Sequence, residues 1–214
     1  MWRFIILVSI VPILLGCVLA NLFGISVLAG KRKLSHSVES LVLRLLKVMG
    51  REDISLEFVK SPLWSHRHDG ILRISSKHQH SDNAAHVARA LIDLGLLLLH
   101  EKQPQAVDWR SKMVKLGSLL PVFTLLFAIF TFMLAKIPAA VAVAVLVGSL
   151  SLCTVMLWLS LSIEKEASIL MVSYIEKLRI LPRLSEEEDL VGALHAMPWV
   201  SLIPGVILKF ILRN

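Results

Sequence analysis

The sequence predicts a multi-pass α-helical membrane protein with a small cytoplasmic α+β core made of a helix, a short β pair and a long central helix. Three observations predict it. Mean hydropathy is +0.72 with only 18% charged residues, too apolar for an ordinary water-soluble domain. Apolar runs at Phe4 to Gly30, Leu116 to Ala135 and Ala139 to Leu161 have about the length of roughly twenty residues that a helix needs to cross hydrocarbon. Between the first and second runs, residues 31–115 are of mixed polarity and alternate helical with strand periodicity. The chain divides accordingly into an N-terminal transmembrane anchor (1–30), a cytoplasmic core (31–115), a transmembrane helical hairpin (116–161), a cytoplasmic helix with an acidic segment (162–196) and a C-terminal membrane segment (197–214).

The first run has one basic residue before it, Arg3, and Lys31-Arg32-Lys33 directly after it. A secretory signal places its charge first, so this order favours an uncleaved anchor with the core in the cytoplasm; cleavage at Ala20-Asn21 is the alternative. The net charge of +7 follows the same rule, because the excess basic residues flank apolar spans. With one Tyr and no recognisable motif, a nucleic-acid surface is not expected. Cys17 and Cys153 both fall inside apolar runs, where thiols pack as small hydrophobes.

In the core, Val38, Leu41, Val42, Leu45 and Leu46 share one face of a helix over Ser35 to Met49, which Ser35 or Ser37 caps and Gly50 ends. Ile54 to Lys60 and Ile71 to Ser76 are rich in β-formers and separated by a punctuated turn, which predicts an antiparallel pair. The central helix runs from Asn83 to Glu101, with N-cap residues at Ser81, Asp82 and Asn83 and no proline. Arg89 and Asp93 are spaced to pair across one turn, and Leu94 to Leu99 is apolar all round, so protein or lipid must bury it.

The order of signals around this helix resembles the YugP-type putative neutral zinc metallopeptidases of bacterial membranes, whose active-site helix carries His-Glu-x-Gly-His. Ile92, Asp93, Leu94, Gly95 and Leu96 stand in the five places of that motif, and Trp109-Arg110-Ser111 matches the family's Leu-Arg-Ser. Ile163-Glu164-Lys165-Glu166-Ala167-Ser168 is similar to the segment that holds the third zinc ligand, which makes Glu164 its counterpart. Upstream, Leu63 to Asp69 and Ser35 to Leu46 resemble the family's corresponding segments. The resemblance covers nearly the whole chain and implies a zincin-like core, in a hydrolase family of the bacterial inner membrane, with a degenerate active site.

The chemistry of that degeneracy is independent of the family. A metallopeptidase needs two helical histidines one turn apart and a carboxylate to take a proton from metal-bound water. Ile92 and Leu96 have no lone pair to offer. His86 and His100 are separated by about 21 Å of helix and cannot share an ion. The remaining metal candidates are His66, His68, His78 and His80, on and after the β pair, where each H-x-H places both rings on one face of a strand, together with Glu164. Exposed loop histidines are the plainer reading of the four.

Farther on, the Lys136-Ile137-Pro138 turn joins the two hairpin arms, and small residues between Ala139 and Ser149 invite close helix packing, within the chain or with a partner or second copy. Ser185-Glu186-Glu187-Glu188-Asp189 is a helix start. Met197 to Leu212, broken at Pro204-Gly205, either spans with distortion or lies against other helices. No phosphate loop, nucleophile elbow or Cys-x-x-Cys is present, and scarce intramembrane acids argue against a pump. These observations favour a non-catalytic pseudoenzyme with no cofactor, acting as scaffold, regulator or adaptor in a membrane protein complex or quality control, with the bilayer and a protein as partners. An active zinc metallopeptidase with a relocated site, using those histidines and Asp93 or Glu164 as base, is the alternative. A third reading is a small oligomeric membrane protein unrelated to peptidases.

Overall fold

The computed structural model describes residues 2–28, 32–60, 70–135 and 138–203. Among them are six helices and one two-stranded sheet. Helix α1 runs over Trp2–Ala20, widens into a π-turn at Asn21–Ile25 and resumes at Ser26–Leu28. Helix α2 (Val38–Val48), strands β1 (Ser55–Val59) and β2 (Ile71–Ser75), a 3₁₀ turn (Ser76–His78) and helix α3 (Ala84–Lys102) form the core. Helices α4 (Pro104–Ala135), α5 (Ala139–Leu178) and α6 (Leu184–Val200) follow.

The caps fall where side-chain chemistry demands. Ser37 Oγ accepts from the Ser40 N–H at the start of α2, and Asn83 Oδ1 accepts from the Ala85 N–H at the start of α3, each satisfying an otherwise orphaned donor. The apolar face of α2 is fully covered, as its periodicity predicts. At the other end of α5, Arg179 takes a left-handed conformation, with φ 45°, and its N–H bonds back to the Ile175 carbonyl to close the helix.

One topological expectation is overturned. The two strands pair in parallel, with Ser55 opposite Ile71 and Val59 opposite Ser75, rather than antiparallel. A tight turn would have enforced the antiparallel pairing, but the connection over residues 60–70 is long enough to return the chain to the starting edge. Within β2, Leu72 and Ile74 alternate inward onto α3.

Helix α3 is the hub, packed by α2, β2, α4, α5 and α6. Every residue from Ala90 to Leu99 is buried. The helices flanking it are longer than the apolar runs suggest. The expected boundary at 115/116 lies inside the unbroken α4, the one at 161/162 inside α5, and the one at 196/197 inside α6, since no residue there stops a helix. Two helices, at Val8–Ile25 and within Ala139–Leu178, are long and apolar enough to cross a membrane. The hairpin turn at Lys136 and Ile137, the segment 61–69 and the C-terminal residues 204–214 lie outside the described residues.

Candidate functional site

The five motif positions sit in the middle of α3, under α5 and α6. Ile92 and Leu96 are completely buried among apolar neighbours of the main core. Asp93 is almost buried and lies 3.9 Å from Arg89 Nε, the pair anticipated from their spacing. At Gly95, α3 lies tight against α5. A Cβ there would stand 2.7 Å from the Ala167 carbonyl oxygen, closer than real Cβ contacts come, so glycine allows the crossing.

Glu164 comes to this place from α5. It meets Arg110 of α4, whose Nε donates to Glu164 Oε1 at 3.1 Å and whose second guanidinium nitrogen donates to the same oxygen. Arg110 is 2% and Glu164 1% exposed, so both charges have left water. Desolvating each costs several kcal/mol, and mutual attraction offsets that cost only while both partners are present. Arg89 also lies close enough for its charge to act on Glu164, and the Ser201 hydroxyl from the end of α6 lies beside the carboxylate. Glu164 Oε2 is buried with no partner in good hydrogen-bond geometry among the described residues. The outcome is a buried ionic knot between α4 and α5, with Arg89 of α3 and Ser201 after α6 nearby.

Zinc does not fit this site. Of the three positions that the resemblance marks for zinc ligands, two are aliphatic and the third is engaged by a guanidinium, with a second guanidinium nearby. A dication there would displace or repel both arginines.

The histidines are placed differently. His66 and His68 lie outside the described residues. His78 ends the 3₁₀ turn and His80 lies in the turn after it, so this H-x-H pair is off the strand and strand alternation does not set its geometry. β2 stops at Ser75, where the chain bends toward the α3 cap. His80 is exposed, 3.7 Å from a Glu39 carboxylate oxygen. His78 instead stacks on His86 in the first turn of α3, with ring centroids 3.9 Å apart, and His86 Nδ1 lies 2.7 Å from Ser81 Oγ. Burial holds both rings below the ordinary imidazole pKa, helped by Lys77 at His78 and by His78 at His86. Among the described residues, no group of three or more His, Cys, Asp or Glu is placed to hold a metal ion.

Sequence reasoning set Glu164 apart as a candidate zinc ligand or base and missed Arg110 as its partner. The signal was available. Positions 110 and 164 are equidistant from position 137 in the hairpin turn, and antiparallel arms bring such positions level. Thr124 and Ser149, whose hydroxyl oxygens are 2.8 Å apart, obey the same rule within one residue. Lys165 turns away and places its ammonium 3.8 Å from the centre of the Trp199 ring.

Compared with known proteins, the chain matches no family model, no curated protein and no solved structure. Fold and site together define a mostly α-helical chain with a parallel strand pair, helices apolar enough to cross a membrane, and a buried ionic knot.

Proposed function

We propose that this chain is an integral membrane pseudo-peptidase: a non-catalytic relative of membrane zinc metallopeptidases that acts by holding a protein partner. The observation that carries this reading is the state of the motif positions. Ile92 and Leu96 are core residues, and Glu164 is committed to Arg110. A site converted from metal ligation to packing and ion pairing keeps the helix arrangement while discarding the Lewis acid and its activated water.

On this reading the core from 31 to 115 lies in the cytoplasm of a bacterial cell. The hairpin over 116–161 sits in its inner membrane, where its small residues meet a partner helix or a second copy. Scaffolding, regulation of an active relative, or adaptor work in membrane protein quality control all use such a surface. Support for the membrane placement comes from the exposed apolar side chains of α1, α4 and α5, which a water-soluble protein would bury.

The test is the zinc content of the detergent-purified protein after exchange into metal-free buffer, with a parallel sample carrying His66, His68, His78 and His80 changed to alanine. The expected result is no retained zinc in either sample. Near-stoichiometric zinc in the first, lost in the second, would overturn this reading in favour of a zinc hydrolase with a relocated site.

A further inference from the structure

Polar and aromatic side chains of four helices gather at one level of the molecule. On α4 it holds Arg110 with exposed Trp109 and Lys112; on α5, Glu164 and Lys165; on α6, Trp199 and Ser201; on α1, Phe23. Contacts join them across helices: Arg110 to Glu164, Lys165 to the Trp199 ring, and Phe23 to Trp199 with centroids 5.0 Å apart.

On the hairpin-turn side of this level, three helices run apolar. At about 1.5 Å per residue, the part of the α1 run on this side of Phe23, residues 4–22, and the stretches 116–135 of α4 and 139–161 of α5 are about 28, 30 and 34 Å long. They stand side by side: a Cβ on Gly16 would meet Thr154, and one on Gly117 would meet Leu157. Outward side chains on α4 and α5 are exposed, with Phe123 and Phe130 each 63% and Leu159 59%. Three lengths that agree with one another and with the roughly 30 Å of bilayer hydrocarbon, all starting from one polar level, specify what covers them. Aromatic rings and snorkelling lysines are the side chains that a headgroup layer accepts.

Resting on the membrane reading above, we propose that this level is the boundary between bilayer hydrocarbon and lipid headgroups, with Trp109, Lys112, Lys165 and Trp199 as its anchors. Only the first part of the 40-residue helix α5 is then in lipid. From Glu166 onward it stands in water, carrying the core with it.

Depth-dependent quenching tests this. Single-tryptophan variants of the full chain, retaining Trp109, Trp158 or Trp199 with every other Trp changed to Phe, are reconstituted in phosphatidylcholine vesicles. The bromines lie near either the ester end or the methyl end of the acyl chains. Trp109 and Trp199 should be quenched about twofold more by the shallow bromines, and Trp158, about 9 Å deeper along α5 than Glu164, more by the deep ones. Strong quenching of Trp158 with deep quenching, or none, at Trp109 and Trp199 overturns the boundary and leaves the membrane reading standing. Absence of quenching at all three overturns both.

A second measurement does not depend on the aromatic anchors. In a background with Cys17 and Cys153 changed to alanine, Glu166→Cys should react with a membrane-impermeant maleimide from the core's side, and Leu159→Cys should not, although its side chain is bare of protein. Equal labelling of the two overturns the boundary.

Discussion

Arg110 and Glu164 are each tolerable only because of the other. Changing Arg110 to Met leaves a buried carboxylate unpaired and should cost about 3–5 kcal/mol, whereas the double change to Met at both positions should recover most of that loss. Thermal unfolding of the detergent-solubilised parent and the two variants reads the difference; a single variant as stable as the parent would show that the pair carries no energetic coupling. The stacked pair His78 and His86 has a different signature. Because burial lowers both imidazole pKa values in the fold, the unfolded chain takes up protons first as pH falls. Their contribution to stability is complete above about pH 6.5 and is lost as pH falls through the depressed values. Asp53 and Glu101, held below the carboxylate range by hydrogen bonds from Arg51, lose their contributions only in stronger acid. The midpoint of thermal unfolding should therefore drop between pH 7.5 and pH 5, and His78→Phe, which keeps a ring in the stack, should flatten that drop.

Legibility differs among the elements for physical reasons. Helix α2 and its Ser37 cap, the start of α3 at Asn83, and the Arg89–Asp93 pair were readable because short-range spacing decides them. Strand direction was not, since it depends on where the connection over 60–70 takes the chain. Nor was the stack of His78 on His86, which exists only because the turn over 78–83 folds back on the helix it introduces. The continuity of α5 through Glu164 to Leu178 was readable, because helix formers continue the apolar arm without a break until the chain nears Pro182. Gly95 tests how tightly α3 and α5 cross. Gly95→Ala would press a methyl group on the Ala167 carbonyl and the Met171 side chain, and should destabilise by about 1–3 kcal/mol, as measured by thermal unfolding. The same change at Gly192, which has open space around its position, should leave stability unchanged or slightly raised.

Across the whole molecule, distant parts of the chain close on one another. The linker after α1 is held on one side by the start of α3, through the Lys33–Asn83 bridge and the Leu34 N–H to the Asp82 carbonyl at 2.8 Å. On the other side it is held by the start of α6, where Arg32 pairs with Asp189, and the Ser35 hydroxyl and N–H both donate to Glu186. Two helices apolar enough to cross a membrane were readable from composition. This closure was not, because the acids of 185–189 looked sufficient as an ordinary helix start. The clamp has a consequence for synthesis. A ribosome delivers the linker long before Glu186 and Asp189, so the core waits, with the apolar Leu94–Leu99 stretch of α3 lacking its cover from α6, until residues 184–200 have emerged. Chains stopped at residue 183 should leave residues 38–102 open to protease in isolated membranes, while full-length chains protect them. During that interval the nascent protein depends on whatever shields an uncovered apolar helix, and closure of its core is timed by the synthesis of α6.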